Sequence, residues 1–127
     1  GLRAAGKAPD AADLERLSEG ADRLGMAAVL DKRRHQLSGG ERRRVGLLRA
    51  FVAARPVVVV DEPTSALDAD SADRAIALLR YLAEQIRATV LVVSHDERRV
   101  RDAGFAVYDF RSRRDGRLRE LVAAVAG

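Results

Sequence analysis

Apolar residues recur every three or four positions in three stretches of the chain, and this spacing predicts three amphipathic helices. The first begins near Ala11 and stops at Gly25, the second covers residues 42–54, and the third begins at Asp70 or Ser71. The apolar faces comprise Leu14, Leu17, Ala21 and Leu24 in the first helix, Val45, Leu48 and Phe51 flanked by Leu47 and Val52 in the second, and Ala75, Leu78, Leu79, Leu82 and Ile86 in the third.

Two short apolar runs, residues 57–60 and 89–93, do not alternate with polar residues. Such runs are typical of strands buried on both faces in a parallel sheet. Residues 105–110 alternate, and Asp115 with Gly116 predicts a hairpin turn before a return strand near residues 117–122. The order of elements therefore predicts an α/β fold with parallel strands, helices and a C-terminal antiparallel hairpin.

Composition narrows the class of protein. The 127 residues are 47% hydrophobic and contain no cysteine, which excludes a disulfide framework and a thiolate metal site. No apolar run approaches the ~20 residues of a membrane span. The net charge of +4 comes mainly from arginine. Because few aromatic residues accompany these arginines, a solvated basic surface is favoured over a nucleic-acid interface.

One stretch, Leu37-Ser38-Gly39-Gly40-Glu41, lies directly before the second helix. Ser38 and Glu41 have the spacing of a capping box, which predicts Ser38 as the N-cap. The glycines allow a ligand to approach the backbone closely, and free amides at a helix N-terminus bind anions. A phosphate site is one interpretation, and an ordinary capped helix is the other.

Polar residues follow both predicted parallel strands. Asp61 and Glu62 follow the first, and Ser94, His95 and Asp96 follow the second. Open α/β sheets bind ligands at the carboxyl ends of their strands, so these side chains form a candidate site. The alternative is that the two acids only cap the next turn.

A second glycine motif opens the chain. Gly1, Gly6 and Lys7 fit the pattern of a phosphate-binding P-loop. A working P-loop follows a strand and ends in a residue with a hydroxyl group. Here Ala8 occupies the hydroxyl position and Pro9 follows it, so we do not expect this segment to bind phosphate.

Four motifs in order resemble those of ABC-type ATPases. Residues 37–41 resemble the signature motif, 57–62 the Walker B strand with its catalytic glutamate, 65–68 the D-loop, and His95 the switch histidine. The resemblance implies the C-terminal portion of a P-loop NTPase domain. Residues 1–54 would be a remnant of the helical signature subdomain, and 55–127 the Walker B core with the hairpin.

The family carries its Walker A loop and Q-loop upstream of the signature motif. No Q-loop is recognisable in this sequence, and the Gly1–Lys7 match lies too few residues before Asp61 to be the Walker A loop. We therefore expect a truncated sequence or one member of a split pair. Alone, such a chain is expected to be inactive, because it has no Walker A loop to hold ATP. It is also expected to be marginally stable, because the strand at residues 57–60 would keep an open edge.

The resemblance implies ATP as substrate and Mg²⁺ as cofactor. Asp61 would hold Mg²⁺ through water, and Glu62 and His95 would be catalytic. The remaining site residues would bind ATP held by the opposite subunit of a head-to-tail dimer. They are Ser38, Gly39, Gly40, Glu41 and Asp68.

The loop after Glu62 favours one branch of the family. Residues 62–68 have the sequence typical of transporter subunits, and residues 114–118 resemble the lipoprotein-release and macrolide-export branch. This implies a transmembrane permease partner, a cytoplasmic position at the inner face of a bacterial membrane, and no direct contact with nucleic acid. The alternatives are a chromosome-maintenance or DNA-repair ATPase and a soluble translation factor.

Overall fold

A computed structural model describes residues 8–108 and the backbone of residues 123–125. The Gly1–Lys7 motif lies outside this range. The fold is α/β, as predicted. Its elements in chain order are α1 (Ala11–Arg23), 3₁₀ turns at Ala27–Val29 and Arg34–Gln36, α2 (Gly39–Ala53), β1 (Val57–Asp61), α3 (Ala69–Gln85), β2 (Thr89–Val93), α4 (Glu97–Asp102), β3 (Ala106–Tyr108) and β4 (Ala123–Val125).

Helix α1 begins and ends where the sequence predicts. The Asp13 N–H donates to Asp10 Oδ1 at 2.9 Å, so Asp10 is the N-cap. Gly25 follows the helix with a φ of 62°, a left-handed conformation that favours glycine. Both ends of this helix are therefore set by local sequence.

Strands β1 and β2 are parallel and in register from Val57 opposite Thr89 to Asp61 opposite Val93. Both strands therefore end at the same edge, where the polar residues follow. An antiparallel pair, β3 with β4, forms the C-terminal extension. Its second strand lies at residues 123–125, and the predicted turn at Asp115-Gly116 and return strand at 117–122 lie outside the described residues.

The core lies between the three long helices and one face of the β1–β2 sheet. Its most enclosed side chains are large and apolar, and each is less than 2% exposed. They include Leu24, Met26, Phe51, Ile76, Leu78, Leu79, Leu82, Val90, Val92 and Val100.

The prediction that β1 is buried on both faces is wrong for the described residues. Val58 is 7% exposed, but Val57 and Val59 are 61% and 64% exposed. Successive strand side chains point to opposite faces, so Val58 points into the core and its neighbours point away from it. Uniform hydrophobicity did not reveal which face would be open.

The predicted start of α3 is also wrong by a short distance. The helix begins at Ala69 rather than at Asp70 or Ser71, because Asp68 is its N-cap and accepts a hydrogen bond from the Ser71 N–H at 2.9 Å. None of the helices within residues 8–108 is long and apolar enough to cross a membrane.

Candidate functional site

The start of α2 is held by a reciprocal pair of hydrogen bonds. The Glu41 N–H donates to Ser38 Oγ at 3.1 Å, and the Ser38 N–H donates to Glu41 Oε2 at 2.7 Å. This is the predicted capping box, and Ser38 is the N-cap. The pair fixes the backbone that presents the two glycines.

Lys32 reaches this helix start from the preceding connector. Its Nζ lies 2.8 Å from Glu41 Oε1, and the Glu41 side chain is only 15% exposed. The hydrogen bond from Lys32, followed by that from the Ser38 backbone, lowers the pKa of Glu41 from 4.5 to about 2. Glu41 is therefore a fixed carboxylate at neutral pH, paired with a cation.

The two glycines of the motif have different surroundings. A Cβ at Gly39 would meet no heavy atom within 4 Å, so this position faces open space. A Cβ at Gly40 would lie 3.3 Å from Leu67 Cδ2 and 3.5 Å from the Ala66 carbonyl oxygen. Gly39 thus leaves room for a ligand, while Gly40 lets α2 pack closely against the loop after β1.

Glu62 and His95 meet at the carboxyl edge of the sheet. The His95 N–H donates to Glu62 Oε1 at 3.0 Å, and His95 Nε2 lies 3.5 Å from the same oxygen. The Glu62 N–H donates to the Val93 carbonyl at 2.8 Å, which extends the strand pairing by one bond. The imidazole is 88% exposed and the Glu62 side chain 29% exposed, so both can reach a bound ligand.

The backbone changes direction between Asp61 and Glu62. Asp61 is the last residue of β1 and is exposed. Glu62 follows with a φ of 48°, in the left-handed region. The turn sends the Glu62 carboxylate toward the end of β2, where it meets His95.

The chemistry of Asp61 fits a magnesium–phosphate site. Mg²⁺ in such sites is bound by one or two carboxylates, the substrate phosphates and water. Within the described part of the chain, no group of three or more metal-ligating side chains is present. Asp61, an exposed carboxylate at the end of β1, can supply the one carboxylate that a magnesium–phosphate site needs.

Asp68 is the N-cap of α3 and contacts the start of that helix. The hydrogen bonds from the Ser71 backbone and side chain lower the pKa of its carboxyl, and Arg44 contributes by charge. The structure therefore assembles Asp61, Glu62 and His95 at one edge. Ser38, Gly39, Gly40 and Glu41 form the start of α2.

Sequence reasoning missed two cations that contact these groups. Arg43 Nη1 donates to the Glu62 carbonyl oxygen, and Lys32 pairs with Glu41. The position of Arg43, three residues after Gly40, could have shown that both face the same neighbour. No pattern indicated Lys32, because its reach depends on the conformation of the connector.

A groove of about 830 Å³ lies elsewhere, between α3 and α4. Its cations are paired with carboxylates: Arg23 with Glu19, Arg80 with Glu84, Arg98 with Asp102, and Arg99 with both Asp73 and Asp96. Since these charges are mutually satisfied, the groove is a weaker candidate for an anionic ligand than the sheet edge.

Comparison with known proteins points to one family. The family model described as "ABC transporter" matches residues 4–65. A phosphonates import ATP-binding protein from Ruegeria sp. strain TM1040 is 39% identical over 66% of this chain and 33% of its own length. A bacitracin export ATP-binding protein from Halalkalibacterium halodurans is 38% identical over 71% of this chain and 36% of its own length.

A lipoprotein-releasing system ATP-binding protein, LolD from Anaeromyxobacter dehalogenans, is 45% identical over 59% of this chain and 31% of its own length. The chain thus spans about one third of these relatives. Among solved structures, the dimeric ATP-binding cassette MJ0796 in a post-hydrolysis state with ADP and Pi has a TM-score of 0.64. It is 31% identical over 75% of this chain and 42% of its own.

Proposed function

This chain belongs to the ABC transporter ATP-binding family, and on that premise we propose that it forms part of the ATP-hydrolysing subunit of a membrane transporter. The observation that carries the proposal is the contact between Glu62 and His95 at the carboxyl edge of the sheet. A carboxylate and an imidazole held together there can position a water molecule and contact a phosphate.

Glu62 is proposed as the general base. Its carboxylate accepts the proton of the attacking water, a role typically worth about 10²–10⁴ in rate. The hydrogen bond from the His95 N–H holds Oε1, and the second carboxylate oxygen remains for water. The exposed His95 imidazole contacts the γ-phosphate and helps to orient the attack, because phosphoryl transfer depends mainly on positioning and charge stabilisation.

Asp61 is proposed to hold the hydration shell of Mg²⁺. The bound ion shields the negative charge of the phosphates. Asp61 is well suited because it is exposed and lies beside Glu62 at the same edge.

The start of α2 is proposed to serve a different nucleotide. Ser38, Gly39 and Gly40 present a hydroxyl and helix-terminal amides to the γ-phosphate of ATP bound by the opposite subunit of a head-to-tail dimer. The ion pair with Lys32 supports this proposal, since it balances the Glu41 charge next to an anionic ligand. Glu41 fixes the capping box, and Asp68 is proposed to contact the opposite subunit.

The phosphate-cradling loop of the subunit is proposed to come from outside the matched third of the relatives. We use "assembled ATPase" for this chain together with that segment, whether in one polypeptide or two. The chain alone is then expected to bind ATP weakly and to hydrolyse it negligibly.

A permease is the proposed membrane partner, with the ATPase at the cytoplasmic face of a bacterial membrane. The relatives named above are ATP-binding proteins of import, export and lipoprotein-release systems. Their names support a transport role over DNA repair or translation. They do not agree on a substrate or a direction, so none is assigned to this chain.

Replacement of the proposed base tests the function. In the assembled ATPase, Glu62→Gln should lower turnover by about 10²–10⁴ and should preserve the ATP-dependent dimer, measured by phosphate release and by size-exclusion chromatography. Glu84→Gln is the matched control, because Glu84 is an exposed acid on α3 paired with Arg80. Normal turnover of the Glu62→Gln protein would refute the role of Glu62.

A second experiment tests whether the proposed phosphate-cradling segment is needed. If the chain alone hydrolysed ATP rapidly and lost this activity on Glu62→Gln, no further phosphate-cradling segment would be needed. That outcome would overturn the proposed division of the site.

A further inference from the structure

Helix α2 touches the loop after β1 at two points on one of its faces. Gly40 packs against Ala66 and Leu67, and Arg43 donates to the carbonyl oxygen of Glu62. Residues three apart lie on the same side of a helix. The first two turns of α2 therefore cover this loop at both of its ends.

The backbone conformation of Glu62 requires support from its surroundings. Its φ of 48° is in the left-handed region, which is strained for a residue with a side chain and persists only where neighbouring groups fix it. The N–H donates to Val93, and the carbonyl oxygen accepts from the Ser65 N–H at 3.2 Å as well as from Arg43. The carboxylate accepts from His95.

Arg43 differs from the arginines beside it in the group that it reaches. Arg42 donates to the Leu37 carbonyl at 2.9 Å, within the glycine motif, and Arg44 donates to the Leu24 carbonyl at 3.2 Å, at the end of α1. Arg43 alone of these three contacts Glu62. Its hydrogen bond is strengthened by the guanidinium charge, and Arg43 is partly buried.

We propose that Arg43 is a positioning residue that ties α2 to Glu62. This proposal rests on the proposed function of Glu62. By holding the Glu62 carbonyl, Arg43 keeps the carboxylate directed at His95. It also connects the glycine motif, which serves the partner's nucleotide, with the base that serves the nucleotide of its own subunit.

The His95 backbone amide provides a direct reporter, because it donates to the Glu62 carboxylate. Arg43→Met keeps the side-chain stem and removes the donor. We expect the His95 amide proton to move upfield and to exchange about tenfold faster, because the carboxylate that accepts its hydrogen bond would no longer be held in place. Arg42→Met is the matched control and should leave the His95 signal in place.

Arg43→Gln retains a neutral donor and should give an intermediate shift. If Arg43→Met fails to fold, the Arg43→Gln variant still tests the positioning role of Arg43. A wild-type His95 signal in a folded Arg43→Met or Arg43→Gln variant would overturn the proposal.

The catalytic consequence is measured separately. In the assembled ATPase, Arg43→Gln should lower kcat about tenfold and leave KM unchanged, because it misplaces the base without altering the groups proposed to bind ATP. Normal kcat together with a shifted His95 signal would overturn the positioning role. If Glu62→Gln itself left turnover unchanged, the proposed function would fail while the His95 measurement would still stand.

Discussion

The start of α2 is held by residues three positions apart in the chain, whereas the Glu62–His95 contact joins residues 33 positions apart. The first depends on a capping box, in which the N-cap and the residue three positions later hydrogen-bond to each other. The second depends on the parallel pairing of β1 with β2 and on the core beneath them. The capping box is therefore a local structure, while the Glu62–His95 edge exists only in the folded sheet.

This difference has a consequence for stability. A change in the core should disturb the Glu62–His95 edge more than the helix start, and a change in the capping box should do the reverse. Val58 and Val59, adjacent residues of β1, allow a direct test of how a change in the core affects the Glu62–His95 edge.

Val58→Thr is expected to have the largest effect on stability. It places a hydroxyl in the core, where Val58 is 7% exposed, and burying such a group without a partner costs about 1–3 kcal/mol. Urea unfolding should show this loss, and amide exchange at His95 should become faster.

Val59→Thr is the matched control, because Val59 is the next residue of the strand and is 64% exposed. It should leave the free energy of unfolding within about 0.5 kcal/mol of wild type. Equal losses from the two substitutions would contradict the one-sided burial of β1.

Ser38→Ala should have a smaller effect, confined to the start of α2. Loss of an N-cap hydroxyl typically costs about 0.5–2 kcal/mol. We expect faster amide exchange at Glu41, whose N–H loses its acceptor, with no change at His95. Ser65→Ala, at an exposed loop serine, is the control. An altered His95 signal in Ser38→Ala would show that the two regions are not independent at this point.

Lys32→Met should alter the ionisation of Glu41 rather than the fold. The lowered pKa of Glu41 means that its contribution to stability is complete above pH 4.5 and is lost as the pH falls toward about 2. Without Lys32 the pKa should rise toward 4.5, and less stability should be lost on acidification. A carboxyl ¹³C titration measures this change. A pKa that stayed at about 2 would assign the shift to Ser38 alone.

The distinction between local structure and long-range packing also explains which features the sequence could predict. Ser38, Asp10 and Gly25 are recognisable because cap and turn preferences operate over a few residues. The order of strands and helices also follows from periodicity, and it placed Asp61, Glu62 and His95 at one edge. These predictions depend on short spacing or on the general geometry of parallel sheets.

Other features required three-dimensional contacts. The open face of β1 is not visible in four identical valines, since only packing decides which of them is covered. The left-handed turn at Glu62 is held by Val93, Ser65 and Arg43, and no local preference of glutamate predicts it. The start of α3, by contrast, follows from local sequence. An aspartate three residues before the helical Ser71 is a typical N-cap, and this rule places the start of the helix at Ala69.

The most direct test of the account is a mixed dimer of the assembled ATPase that carries Ser38→Arg and Glu62→Gln. If these residues serve different nucleotides, both changes in one subunit disable both sites, whereas one change in each subunit disables only one site. Single-turnover hydrolysis should then yield no phosphate from the first dimer and one phosphate per dimer from the second. The reverse result would contradict the central claim that the glycine motif and the catalytic carboxylate of one chain act on separate ATP molecules.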